Sequence, residues 1–343
     1  GPFGYLAEKA STNLAIQSED FTTSWTVQRA TVTANAAVAP DGTTTMDRLV
    51  VDAGSGSHNV YQPFSVTAGT NYTTSVYIKD DGAGFGGVCF GAGSTHIAVV
   101  VDLSTGLVTD TEVGSTSGTI VATGCEDAGN GIYRVWISGS IGTTGSYIIP
   151  FTSDVAVPVN WSAGRPSYTA VAGEDILIWG AQVELGTYPT SYIATTTTAV
   201  TRNADVLTAG DMVTDAAGSG YAEASSNWST ATSRYLLNRV ANILYHGSSS
   251  STKIFAFDQT NLVVSPTGTS FQNAPAPMAS TWGSNLTAYK DGAAGVAGPY
   301  DGTMGSGVLY IGSRNNLTLQ WDGTIREVKI FDSELTAAEV GDL

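Results

Sequence analysis

Short runs of alternating apolar and polar residues recur along the chain, separated by turns rich in glycine, serine, threonine and aspartate. Alternation of this period predicts half-buried β-strands. In the first two hundred residues the runs are Thr45–Val51, His58–Val66, Asn71–Lys79, His96–Leu103, Ile132–Ser138 and Asp175–Glu184. Between them, Pro40-Asp41-Gly42, Asp81-Gly82 and Gly129-Asn130-Gly131 supply residues that tolerate the positive φ of tight turns. No amphipathic helix of ten residues competes there. The polar, Thr-rich stretch Ala194–Val200 reads as the end of a first domain leading into a linker. The pattern restarts at Gly220–Ala224, Tyr235–Leu244, Lys253–Phe257, Leu286–Lys290, Val308–Ile311 and Gly323–Phe331. Gln272–Pro277 is excluded from a central strand because each proline removes a ladder donor. A closing turn of helix is expected after Ser333, its candidate cap. The expected fold is all-β, two β-sandwich domains in tandem over residues 4–200 and 204–343, with Gly1–Phe3 read as the scar of a removed tag.

Composition narrows the partners. Of 343 residues only 13% are charged, against ~25% in an average globular chain. Thirty acidic residues against fourteen basic ones give a net charge of −16, which repels nucleic acid and anionic membrane and favours neutral, cationic or metal-bridged partners. No run reaches the roughly 18 apolar residues that span a bilayer, so no membrane insertion is expected. Cys89 and Cys125 are the only cysteines, too few for a disulfide framework, though one bridge between them stays open.

Catalytic constellations are not apparent, and no catalytic residue is assigned. Glu126-Asp127 and Glu174-Asp175 are adjacent pairs, whose side chains point to opposite faces of any strand, whereas retaining glycoside hydrolysis needs two carboxyl groups ~5–5.5 Å apart. Glu327 has Ile325 and Lys329 as same-face neighbours. His58, His96 and His246 each stand alone, no GxSxG elbow follows a strand, and Gly82-Ala83-Gly84 with Gly86-Gly87 lacks the helix a dinucleotide fingerprint requires. Metal ligation stays open: Asp41, Asp80, Asp81, Glu126, Asp127 and Asp322 lie beside glycines, as calcium ligands and ordinary turn acids both do, and no EF-hand spacing is present.

Strand parity places the aromatic rings. In Asn71–Lys79, Tyr72, Thr74, Val76 and Ile78 form the core face, leaving Tyr77 and Lys79 outside. In Ile132–Ser138, Tyr133, Val135 and Ile137 go inward and Arg134 and Trp136 outward, while in His58–Val66 Asn59 and Tyr61 face out. If these outer faces share one sheet, Tyr61, Tyr77 and Trp136 form an aromatic platform edged by Asn59, Lys79 and Arg134, suited to stacking on the C–H face of a sugar. The competing expectation is that loops or a neighbouring subunit cover these rings. Trp161, amid small polar residues, is a second candidate, whereas Trp25 and Trp179 are expected in the core and Trp228, Trp282 and Trp321 fit either role.

Several segments, in order, resemble a domain of bacteriophage tail or head fibres and spikes related to jelly-roll carbohydrate-binding modules. They are Asn13–Phe21 with Trp25, Ala39–Thr45, Ala68–Thr73, Ser75–Lys79, Asp102–Gly106, Gly129–Arg134, Trp179–Glu184 and Pro189–Ile193, with Ile132 where that family more often has tryptophan. The second half, at Leu309–Gly312, Trp321–Phe331 and Leu335-Thr336, is similar to laminin-G or concanavalin-A-like sandwiches. The resemblance implies a non-catalytic component of a virion surface, or an extracellular protein, that recognises polysaccharide or cell-surface glycan. A structural calcium ion and a homo-oligomer are compatible with it. Two rivals are a glycan-degrading hydrolase or lyase using the second sandwich, and a structural fibre spacer, since fold alone does not decide function.

Overall fold

The computed structural model describes residues 4–213, 215–228, 234–239, 243–246, 251–258, 260–304, 307–314 and 319–343. Antiparallel β-structure dominates, with one short helix among the described residues, so the chain is all-β. Residues 11–202 form one compact unit, and residues 4–10 group with 203–343 in another. Tyr5–Ala7 pairs with Gly323–Phe331, so the first residues complete a sheet of the C-terminal unit and do not belong with the stretch that follows them.

In the 11–202 unit, two six-stranded antiparallel sheets enclose one core. The first runs Gly118–Gly129, Ile132–Ile141, Tyr72–Asp81, Asp175–Leu185, Met46–Val51, Ala30–Ala37, and the second Leu107–Val113, Thr95–Asp102, Phe85–Ala92, Gly145–Ser153, Asn59–Ser65, Thr26–Gln28. Their inner faces meet through Val76, Ile78, Val135, Ile137, Ile176 and Ile178 on one side and Val60, Val88, Phe90, Ile97, Val99 and Ile148 on the other. Each side chain of this kind contributes roughly 1.5–3 kcal/mol on full burial. The parity expected for the strands at 72 and 132 therefore holds, and in the strand at 175 Ile176 and Ile178 face the same core up to Gly180. Phe85–Ala92, Leu107–Val113, Gly118–Gly129 and Gly145–Ser153 are further strands that the alternation did not reveal. Cys89 and Cys125 are free thiols, one in each sheet, which closes the disulfide question.

The Thr-rich stretch is docked. Thr195 is buried and its hydroxyl donates to the Ala15 carbonyl at 2.6 Å, and Val200–Arg202 pairs with Ser11–Asn13.

In the second unit, one sheet runs Tyr5–Ala7, Gly323–Phe331, Gly218–Ala224, Ala276–Trp282, Thr287–Lys290, Ala293–Ala294, and another comprises Leu207–Ala209, Leu309–Ile311, Arg234–Arg239, Ile243–His246, Phe255–Phe257, Leu262–Val264. The run Tyr235–Leu244 thus divides into two paired strands, with 240–242 outside the described residues. Trp228, Trp282 and Trp321 are all buried in the core of this unit. Pro277 corrects the proline argument: it is the second residue of a strand paired on both sides, where a missing donor is tolerated at the strand's start. The helix Ala337–Gly341 is capped by Thr336 in a capping box with Glu339, so Ser333 is not the cap.

Candidate functional site

The outer face of the first sheet carries the site. Ile132–Ile141 pairs with Tyr72–Asp81 so that Arg134 lies opposite Tyr77 and Trp136 opposite Ser75. Across the next ladder Trp136 faces Gly124, and a Cβ built there would fall 2.5 Å from Cζ2 and Nε1 of the indole. The ring thus occupies the place of the absent side chain and lies half-buried against the backbone. On the other side, Tyr77 faces Trp179, its ring edge-on at 5.3 Å, and Trp179 packs against Tyr192 at 4.5 Å. Trp136, Arg134, Tyr77, Trp179 and Tyr192 therefore form a continuous band across three strands and one loop.

A β-bulge completes this band at its Tyr192 end. Between Trp179 and Gln182 the strand has one residue more than its partner, and Gly180 takes φ +63 at that point. The extra residue resets the alternation, so Ala181 joins the core while Gln182 and Glu184 follow Trp179 on the outer face. There the buried Glu184 carboxylate accepts from the Thr190 N–H at 2.8 Å, the Thr190 hydroxyl at 2.7 Å, Gln182 Nε2 at 2.7 Å and the Ser11 hydroxyl. Asn13, fully buried, donates to Ala181 and Ile193 carbonyls and accepts from Ala15 and Val183 N–H groups. These bonds fix the 189–193 segment against the sheet and set Tyr192 beside Trp179.

Beyond Tyr192 the band reaches a cleft of about 400 Å³ lined by Glu19, Asp20, Asn35, Thr45, Asp47 and Thr195. Tyr192 donates to Glu19 at 3.1 Å, and Trp179 Nε1 donates to Thr45 at 3.0 Å. Burial raises the Glu19 and Asp47 carboxyls above the ordinary range, partly offset by the Tyr192 hydroxyl at Glu19 and by the Asn35 and Phe21 N–H groups at Asp47. Burial likewise raises the Tyr77 and Tyr192 phenols.

The six expected site residues do not assemble as one platform. Tyr77, Lys79, Arg134 and Trp136 share the outer face of the first sheet, but Tyr61 belongs to the second sheet and packs edge-on against Tyr147 at 5.4 Å. Parity fixes the face of a strand and not its sheet, and the strands at 59 and 72 belong to opposite sheets. Asn59 stands on the outer face of the second sheet, as Tyr61 does, but is fully buried there, with Nδ2 donating to Gln28 at 3.3 Å. Trp161 is half-buried on the outer side of the second sheet, edge-on to Phe151 at 6.3 Å, with Nε1 donating to the Pro158 carbonyl. Trp179 is buried as expected, but in this outer band and not in the inter-sheet core. Trp179 precedes the bulge and stands on the face opposite Ile176 and Ile178, so alternation alone places it there; Tyr192, in a loop, is the aromatic contribution that alternation does not reach.

Five of the six acids considered for calcium have local protein partners, and the sixth, Glu126, is exposed. Asp41 accepts from the Thr43 N–H and hydroxyl, Asp80 from the Gly82 and Gly84 N–H groups, and Asp127 from the Gly129 N–H. Asp81 pairs with Arg48 at 2.6 Å and Asp322 with Arg234 at 2.9 Å. Among the described residues no group of three or more His, Cys, Asp or Glu side chains is arranged to hold a metal ion.

No family model matches the chain. A search of curated proteins finds no match either.

Proposed function

We propose that residues 11–202 form a non-catalytic glycan-binding module, and that the chain is a virion-surface or extracellular fibre component of the kind its resemblance implies. The observation that carries this reading is the Trp136 indole, half-buried and packed on the side-chain-free Gly124, beside Arg134 and Tyr77. A ring supported from below offers its other face to the apolar C–H face of a pyranose, and neighbouring polar groups fix the orientation. The hydroxyl- and carboxylate-lined cleft at the far end of the band suits further sugar hydroxyls, which carboxylates accept well.

The reading is tested by retention on immobilised polysaccharides. Trp136→Ala should abolish retention of the intact chain while leaving the thermal midpoint nearly unchanged; retention equal to that of the parent protein removes this face as the site.

A further inference from the structure

Three lysine or arginine side chains are buried among the described residues: Arg134, Arg239 and Lys290. Arg239 is paired with Asp211 and Lys290 with Asp291. Arg134, only 6% exposed, has no such partner. Its Nη2 donates to the Ser75 hydroxyl at 3.2 Å, its Nε has no hydrogen-bond partner, and the Tyr77 ring lies 5.5 Å from the guanidinium carbon. Glu126 is opposite on the neighbouring strand but exposed to water, and it forms no ion pair with the guanidinium. A cation–π contact and one hydroxyl compensate a buried guanidinium only in part, and a charge withdrawn from water without an anion is costly.

We propose that the ligand supplies the missing anion: this face takes an acidic glycan, with the carboxylate of a uronic or sialic acid residue on Arg134 and a neighbouring ring on Trp136. The inference rests on the glycan-binding reading and adds the substrate class. The planar guanidinium fork matches a carboxylate in two-point geometry, and Lys79, on the same face two residues from Tyr77, adds a second positive charge. The net charge of −16 does not decide the matter, because exposed charges farther than about 8–10 Å are screened at ordinary ionic strength.

The test is affinity electrophoresis of the whole chain in gels containing alginate, polygalacturonate, hyaluronan or polysialate, each beside its carboxyl-reduced form. At least one acidic polymer should retard the chain, with affinity falling about tenfold or more on carboxyl reduction. Arg134→Gln, checked for folding by circular dichroism, should lose the same preference, and Arg134→Lys should keep part of it. Should Arg134→Gln not fold, the comparison of each polymer with its reduced form still decides, since it needs no variant. Equal retardation by acidic and reduced polymers, or an acid preference that folded Arg134→Gln retains, overturns the acidic-glycan inference while leaving the glycan reading intact. No retardation by any of the polymers, acidic or reduced, overturns both.

Discussion

Trp136 and Gly124 are a matched pair: the indole of one fills the volume that a side chain on the other would need, and a Cβ at Gly124 would lie 2.5 Å from Nε1 of Trp136. Gly124 has no positive φ, so its backbone suits other residues and the ring alone excludes a side chain. Gly124→Val should therefore displace the indole without breaking the strand. Valine's better strand propensity, worth up to ~1 kcal/mol, offsets part of the repacking cost. The expected result is a changed tryptophan emission, a thermal midpoint lowered by about 2–4 °C for each kcal/mol of residual cost, and loss of polysaccharide retention. Unchanged retention with a shifted emission would mean that the orientation of the ring is immaterial to binding.

Glu184 anchors the loop that carries Tyr192. Hydrogen bonds to a charged group contribute roughly 1.5–3 kcal/mol each, and partners left buried and unpaired add a further penalty. Glu184→Ala, which removes the acceptor of Ser11, Gln182 and Thr190 at once, should destabilise the unit by about 3 kcal/mol or more in urea unfolding. Hydrogen exchange should speed first at Thr190 and Ile193, whose N–H groups donate to Glu184 and Gln182. Exchange that stays slow there would show that the loop is held by other contacts.

The core faces of the first sheet were legible in the sequence because Val76, Ile78, Val135, Ile137, Ile176 and Ile178 alternate strictly. Gly-rich Phe85–Ala92 was not, since Gly86, Gly87 and Gly91 carry no side chain for an alternation to show. Half of the candidate site was legible for the same reason. Arg134, Trp136, Tyr77 and Lys79 follow from parity, but the membership of Tyr61 in the opposite sheet is decided by pairing across distant residues. Trp179 follows from the same parity as Ile176 and Ile178, but Tyr192 required the bulge at Gly180 and the anchor at Glu184, which no periodicity encodes. Nor does parity report that Arg134, on an outer face, is nine-tenths buried.

In the other unit, Lys290 is buried against Phe271 and paired with Asp291, which also accepts from the Thr269 N–H. Burial holds the Lys290 ammonium below its usual 10.5, and the hydrogen bond and charge of Asp291 pull it back upward. Asp291→Ala leaves the buried cation unpaired and should cost about 3–5 kcal/mol at neutral pH, whereas replacing the whole pair, Lys290→Met with Asp291→Ala, should be close to neutral. Because the folded ammonium gives up its proton at lower pH than the unfolded one, stability is gained as pH rises through the folded value toward 10.5. The deficit of Asp291→Ala should therefore shrink on alkalinisation in denaturant titrations. A deficit that does not change with pH would mean that packing, and not the charge, is responsible.

The most direct test of the account is a glycan array probed with the intact chain and with Trp136→Ala side by side, with and without calcium. The account predicts selective binding by the parent chain, centred on carboxylate-bearing glycans, and none by the variant. Silence of the parent chain on every glycan in both conditions, together with a stable oligomer by light scattering, would contradict it and leave the chain a structural spacer.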